Sequence, residues 1–465
     1  MMAEKKVLII GAARSGIACA RFLGARGAIV ALNDKKPLEE WSPEALALKD
    51  EGIGCMPGEV PGWLLDQVEM VVLSPGVPTQ AIPVRYAERA GAEIIGEIEL
   101  ASRYLQGRLV AITGTNGKTT TTSLIGELLK GAGLPVQVGG NIGTPLISLV
   151  DSSQPGGWTV VEVSSFQLET IKTFHPNVAV VLNVTPNHMD RYDSFTDYAA
   201  AKHKIFTNQT AEDVAILNRD DAVVCSWAPG LRAHVSWFSV SEELTQGLFL
   251  KGVNLVSRTA EAERILLRRD EMKLRGLHNV ENVLAALSAG LACGADPESM
   301  RDTVRNFHPV EHRLEFVTEI RGVSFYNDSK ATSVDATLKA LEAFTDEPGK
   351  IVLILGGLGK KAPYAPLAPI IQASVRRLIL LGADAEVIQR ELEGYAPTDH
   401  VTTMREAVEH SLQSAHHGDV VLLAPACASF DMFESFEHRG HVFKEEVRAL
   451  AAHVAERVGQ SQIAC

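Results

Sequence analysis

With 465 residues, 46% of them hydrophobic and 22% charged, the chain is too long for one ordinary core and has a globular composition. Its net charge of −13, without a long basic run, excludes a surface that coats nucleic acid. Cys19, Cys55, Cys225, Cys293, Cys427 and Cys465 are scattered without a Cys-x-x-Cys pair, which excludes a disulfide scaffold or zinc ribbon and fits reduced thiols.

The chain passes from Met1 through Glu4, Lys5 and Lys6 straight into a short strand, Lys6–Ile10. No signal peptide and no bilayer-length apolar run is read there or later, so a cytoplasmic protein is expected. A turn over 11–16, a helix over 17–23 and a strand over 28–32 ending at Asn33-Asp34 have the layout of a Rossmann βαβ unit. Ala13 takes the place of the middle glycine, which argues against an NAD site. A nucleotide- or sugar-diphosphate site and a merely architectural turn both stay open. The strand over 68–73 runs into Ser74-Pro75-Gly76-Val77-Pro78, either a ligand loop at a strand's carboxyl end or a simple turn. Residues 97–102 form a connecting helix to the next block.

A central block is expected over 97–309. An apolar strand over 107–112 leads into Thr113-Gly114-Thr115-Asn116-Gly117-Lys118-Thr119-Thr120, and an amphipathic helix is expected over 123–130. A glycine turn at a helix N-terminus lets backbone N–H groups converge on phosphate oxygens. Lys118 supplies a mobile charge for the outer phosphates and Thr119 a hydroxyl for Mg²⁺. The strict P-loop would place glycine at Ile112; here the glycines are closer together, at Gly114 and Gly117. This is a nucleotide-phosphate site.

Farther along, a strand over 136–138 meets a glycine-rich bend at 139–143, and a strand over 158–165 carries Glu162 among valines, where a Mg²⁺ ligand is expected. A strand over 177–184 leads to His188, a candidate second metal ligand at the tip of a neighbouring strand. Lys202, on a helix over 198–204, reads as a surface lysine no different from Lys204. A strand over 214–218 follows, then a polar stretch over 240–274 of short strands and hairpins. Asn279 opens an alanine-rich helix and either caps it or faces an adenine.

From 310 onward, His312-Arg313-Leu314-Glu315 precedes a strand, and four strands over 323–328, 350–355, 377–381 and 419–423 end in Gly, Asp, Lys or Ser loops and alternate with helical stretches. That pattern is a second doubly wound domain. Lys330, Lys360 and Ser429 could point to one crevice. Lys361 stands where a second P-loop would need Ser or Thr, so the loop over 356–360 reads as a carboxylate-binding loop.

Together, Thr113 to Thr119, Glu162-Val163-Ser164-Ser165-Phe166-Gln167-Leu168, Asn187-His188-Met189-Asp190, His278-Asn279, Asn327 to Thr332 and Ala426-Cys427-Ala428-Ser429-Phe430-Asp431 resemble the motifs of the Mur ligases. The match covers essentially the whole chain in order and lies nearest the members that add D-glutamate. The resemblance implies an α/β fold of three domains: a Rossmann-like UDP-sugar domain over 1–96, a P-loop ATPase with a mainly parallel sheet over 97–309, and a Rossmann-like amino-acid domain over 310–465.

It further implies ATP-driven amide formation between UDP-N-acetylmuramoyl-L-alanine and D-glutamate through an acyl phosphate, by a monomer that uses ATP and two Mg²⁺ ions. By matching position, Gly114, Thr115, Asn116, Gly117, Lys118, Thr119, Thr120, Asn279, Arg313 and Asp328 would contact ATP. Thr119 and Glu162 would hold one Mg²⁺, and His188 with Lys202 as its carbamate the other; Lys118, Glu162, His188 and Lys202 would be catalytic. Arg14, Ser15, Asp34, Lys35, Gly76, Asn141 and Ser164 would hold the UDP-sugar. Lys330, Thr332, Lys360, Ser429 and Phe436 would place D-glutamate. Arg14 and the pair Lys35-Lys36 depart from the usual uridine-pocket residues; the lysines are expected on the diphosphate. Ligases for other amino acids, an NAD-dependent oxidoreductase and a P-loop switch acting on a protein are the competing readings.

Overall fold

The structure, a computed structural model, describes all residues except 1, 188–190, 275, 309–310, 345–348, 361 and 464–465, and no side chain beyond 455. Its chain groups into two compact units, Met1–Met272 with Glu281–Phe307, and Lys273–Val280 with His308–Cys465. Three sheets build them. Among the described residues no helix is long and apolar enough to cross a membrane.

The first sheet is entirely parallel, ordered Gly54–Pro57, Ile29–Asp34, Lys6–Ile10, Met70–Leu73, Glu93–Gly96. Strands such as Met70–Leu73 are buried on both faces, which is why they read as unbroken apolar runs. Chain order reverses between Lys6–Ile10 and Met70–Leu73, so the loops after these two strands face one crevice. The first helix spans Arg14–Gly24, beginning before the expected 17 because the extended Ala13 ends the turn.

The central sheet of the same unit has nine strands, ordered Glu263–Arg268, Asn254–Arg258, Gly247–Lys251, His234–Ser239, Val214–Asn218, Val178–Val181, Arg108–Thr113, Trp158–Glu162, Val136–Gly140. The polar 240–274 stretch forms its outer part through two antiparallel pairings. The helix after the glycine turn is Lys118–Gly131, so Lys118, Thr119 and Thr120 form its first turn rather than preceding it. The strand expected over 158–165 stops at Glu162, because Ser164 caps the short helix Ser165–Leu168 in a capping box with Gln167.

One apolar cluster runs from the first sheet through Ile95, Ile98 and Leu100 to Ile147 and Val161 of the central part. Two buried carboxylates on the connecting helix Glu97–Ser102 fasten it. Glu99 accepts hydrogen bonds from the backbone N–H groups of Lys172, Thr173 and Phe174 and from Arg103 Nε. Glu99→Ala would leave those donors unpaired and is expected to cost about 3 kcal/mol of stability, measurable by denaturant unfolding. Glu97 accepts one N–H, from Ile147 at 2.7 Å, and its other oxygen is buried with no partner among the described residues.

Burial pushes the Glu97 carboxyl up to about 7, against the pull of the Ile147 N–H. Its folded pKa therefore lies above its unfolded one. The contribution to stability is complete below about pH 4.5 and is lost as the pH rises through about 7. A shift of that size corresponds to about 3 kcal/mol. Glu97→Gln is expected to flatten this loss, seen as a smaller fall in the thermal midpoint between pH 5 and pH 8 than in the parent chain.

The second unit holds a six-stranded sheet, ordered Glu315–Ile320, Val323–Asn327, Val420–Leu423, Ile351–Gly356, Val375–Leu381, Thr398–His400. The strand expected after His312-Arg313-Leu314-Glu315 is Glu315–Ile320, paired antiparallel at one edge, and beyond the expected strands there is a three-residue strand at the other edge. Val323–Asn327, Val420–Leu423 and Ile351–Gly356 are parallel neighbours, so their carboxyl-end loops lie side by side.

Candidate active site

The glycine loop takes a conformation only glycine holds cheaply: Gly117 has φ +82° and precedes the helix, and a Cβ there would lie 2.1 Å from Asn282 Oδ1. Asn183 Oδ1 accepts from the Thr115 and Asn116 N–H groups at 3.1 and 2.8 Å, fixing the loop from the neighbouring strand's end. Thr115 Oγ1 donates to Thr185 O at 3.1 Å and accepts from Thr185 N. Two lysine side chains donate to the loop. Lys118 Nζ donates to Gly114 O at 2.9 Å and Thr115 O at 2.8 Å, and Lys202 Nζ donates to Gly114 O at 2.7 Å.

Lys202 is not the surface lysine that its helix pattern suggests. It is 2% exposed and lies 4.7 Å over the Tyr198 ring, whereas Lys204 is exposed and donates to Glu169 O. Burial first, and then the Lys118 charge, pull the Lys202 pKa well below the ordinary lysine value, opposed by Glu162. Glu162, 2% exposed, accepts from Thr119 Oγ1 and from Asn141 Nδ2, both at 2.9 Å. Asn141, expected on the UDP-sugar, thus has its amide on this carboxylate. His188 lies outside the described residues.

The other residues expected on the UDP-sugar cluster at the crevice of the first sheet and the loops facing it. Asp34 accepts from Ala12 N at 2.8 Å and Lys36 N at 3.0 Å, holding the first turn closed. Arg14 Nη1 lies 3.4 Å from Gly143 O, Ser15 is half-buried, and Lys35 and Gly76 are exposed. Ser164 has its hydroxyl engaged in the capping box, where it accepts from Gln167 N at 3.3 Å.

In the second unit, Asn279 is buried in the first turn of Leu277–Ala292. Arg313 sits between His312 and Leu314, which have φ of 64° and 43°. Asp328 accepts from Leu314 N at 3.4 Å, and burial pushes its carboxyl up to about 7 against the Arg313 charge. Beside it, Lys330 Nζ lies 3.8 Å over the Phe436 ring and Lys360 Nζ is 3.4 Å from Thr332 Oγ1. Ser429 Oγ is buried with no partner among the described residues. Two cations, a threonine and an unsatisfied serine hydroxyl suit a ligand bearing carboxylates.

Sequence reasoning passed over two organisers. Asn183 had a readable signal, a polar residue closing an apolar strand. Arg439 had none. It is 2% exposed inside a helix and donates to Ser329 Oγ, Ser329 O and Cys427 O at 2.9–3.1 Å, binding together the loops that follow Val323–Asn327 and Val420–Leu423.

Three family models match in chain order: the Mur ligase MurD-like N-terminal domain over 5–96, the Mur ligase middle domain over 112–290 and the Mur ligase glutamate ligase domain over 312–427. The UDP-N-acetylmuramoylalanine--D-glutamate ligase of Acidobacterium capsulatum is 48% identical over 447 residues, 96% of each chain. The chain belongs to the Mur ligase family. Within it, the Koribacter versatilis relative of the same name is 45% identical over 96% of this chain and 98% of its own.

Solved Mur ligase structures share the fold at low identity. UDP-N-acetylmuramate-alanine ligase MurC of Thermotoga maritima has a TM-score of 0.60 at 20% identity, covering 96% of this chain and 99% of its own. MurF of Acinetobacter baumannii has 0.61 at 16%, covering 96% and 91%. This Mur ligase is thus a three-domain α/β protein of mainly parallel sheets.

Proposed function

We propose that this Mur ligase joins D-glutamate to UDP-N-acetylmuramoyl-L-alanine with ATP, in the cytoplasmic synthesis of peptidoglycan precursors, and that it acts as a monomer. The observation that carries the reading is near-half identity along 96% of the chain to relatives bearing that activity in their names. The cations and hydroxyls on the strand-end loops of the second unit, Lys330, Lys360, Thr332 and Ser429, support the choice of an acidic amino acid. The three domains are assigned to UDP-sugar over 1–96, ATP over 97–309 and amino acid over 310–465.

In the first step an oxygen of the alanyl carboxylate attacks the γ-phosphorus, the bond to the ADP oxygen breaks, and an acyl phosphate forms. The D-glutamate amine then attacks the acyl carbon, loses a proton, and expels phosphate. The first step brings anions together, and the Lys118 ammonium swings from the Gly114 and Thr115 carbonyls to the outer phosphates to offset that repulsion. The remaining loop residues, Gly114 to Thr120, present N–H groups and hydroxyls to the phosphates. Asn279, Arg313 and Asp328 are assigned to the nucleotide, Asp328 to its ribose.

The donor set fits Mg²⁺: Thr119 Oγ1 and Glu162 Oε2 are hard oxygens 2.9 Å apart and would hold one ion. His188 and Lys202 would hold a second. A bare ammonium cannot be a ligand; the depressed pKa favours the neutral amine of Lys202, whose nitrogen would bond to the carbon of CO₂, releasing a proton and giving a carbamate oxygen donor. Bound, the ions supply Lewis-acid stabilisation of the phosphoryl oxygens. Asn141 orients Glu162 here, so its contribution to the UDP-sugar is exerted from beside the metal site. Arg14, Ser15, Asp34, Lys35, Gly76 and Ser164 complete the UDP-sugar assignment.

Phosphate release with ATP, Mg²⁺ and UDP-N-acetylmuramoyl-L-alanine, against a panel of D- and L-amino acids, tests the reading; release should require D-glutamate. Release with a different amino acid would overturn the acceptor assignment. Lys360→Ala is expected to raise the KM for D-glutamate about tenfold or more while that for ATP stays within about twofold, and equal effects on both would remove its carboxylate role.

A further inference from the structure

Two neighbouring strand-end loops of the C-terminal sheet carry Lys360 and Ser429 of the D-glutamate assignment, and a side chain outside that set ties these two loops to each other and to the loop after Val375–Leu381. Tyr364 is 3% exposed, and its hydroxyl lies 2.9 Å from Asp384 Oδ2 and 3.0 Å from Cys427 Sγ. A phenol has one proton. With that proton on the Asp384 carboxylate, the Cys427 thiol donates to the phenol oxygen, giving a chain from S–H through O–H to carboxylate. Burial pushes the Cys427 thiol up to about 11 and raises Tyr364 above the ordinary phenol, so both protons stay in place at neutral pH.

The three members sit just beyond three different strands: Tyr364 follows Ile351–Gly356, Asp384 follows Val375–Leu381, and Cys427 follows Val420–Leu423. Asp384 closes on the first loop twice more. Its N–H donates to Gly357 O at 3.0 Å, and a Cβ at Gly359 would lie 1.7 Å from its carboxylate. Cys427 is followed by Ala428, which exchanges two backbone hydrogen bonds with Leu358, at 2.9 and 3.0 Å. Lys360 is the residue after Gly359, and Ser429 the residue after Ala428. The contacts therefore end where the pocket residues begin.

We propose that Tyr364 is a positioning residue that sets the spacing between Lys360 and Ser429, and so selects an amino acid whose two carboxylates are separated as in glutamate. The role rests on the D-glutamate reading above. Tyr364→Phe keeps the ring and removes the oxygen. It is expected to raise the KM for D-glutamate about fivefold or more, with kcat and the KM values for ATP and the UDP-sugar within about twofold. The preference for D-glutamate over D-aspartate, shorter by a methylene, should narrow by a similar factor.

Asp384→Asn, which keeps the shape and weakens the acceptor, should move the same two quantities in the same direction; it serves also if the Phe variant does not fold. An unchanged KM for D-glutamate, or an equal loss across all three substrates, overturns the positioning role. A parent chain that does not use D-glutamate overturns the ligase reading itself, before any variant is compared.

Discussion

Lys118→Ala should reduce ATP-dependent phosphate release by about a thousandfold or more, the range found when a charge clamp on a reacting group is removed. The lysine begins a helix behind a glycine loop, and without substrate its ammonium rests on two carbonyls of that loop. Such contacts are easily exchanged for phosphate oxygens. Lys118 is half-buried and its ammonium donates to two carbonyls of its own loop, so its removal should change the thermal midpoint little. An inactive but fully stable variant is the expected pair of results. Retained phosphate release would remove the phosphate-loop assignment.

Lys202→Ala should lose activity to a similar degree, and added bicarbonate should not restore it. The parent chain, stripped of CO₂, should lose activity and regain it with bicarbonate. Labelled bicarbonate should give a carbamate carbon resonance in the parent that is missing from the variant. The structural ground is a lysine buried to 2% exposure, held on Gly114 O, whose pKa is lowered first by burial and then by the Lys118 charge. Neutral amines form carbamates; ammonium ions do not. A parent chain indifferent to CO₂, with no labelled resonance, would leave Lys202 as a structural donor to the loop.

Much of this was readable before any coordinates. The inner parallel strands of the first and last sheets, such as Met70–Leu73, Val420–Leu423 and Ile351–Gly356, are buried on both faces, and such strands appear in a sequence as apolar runs closed by Gly, Asp or Ser. Glu162 stood out for that reason, as a lone carboxylate at the end of a valine strand. Boundaries were less legible. The helix expected over 123–130 after the glycine loop spans Lys118–Gly131, and its Thr120, Thr121 and Thr122 are all buried.

The chain's own residues thus determine the three α/β layers, the phosphate loop and the family motifs, because periodicity, glycine placement and the Gly-Lys-Thr core are local properties of sequence. Tertiary structure alone decides which polar side chain faces which loop. It takes Lys202 from an apparently solvated helix to Gly114 O, turns Asn141 onto Glu162, and brings Tyr364, Asp384 and Cys427 together from three strands. Those outcomes depend on desolvation and on partners distant in sequence, and neither leaves a mark in the spacing of nearby residues.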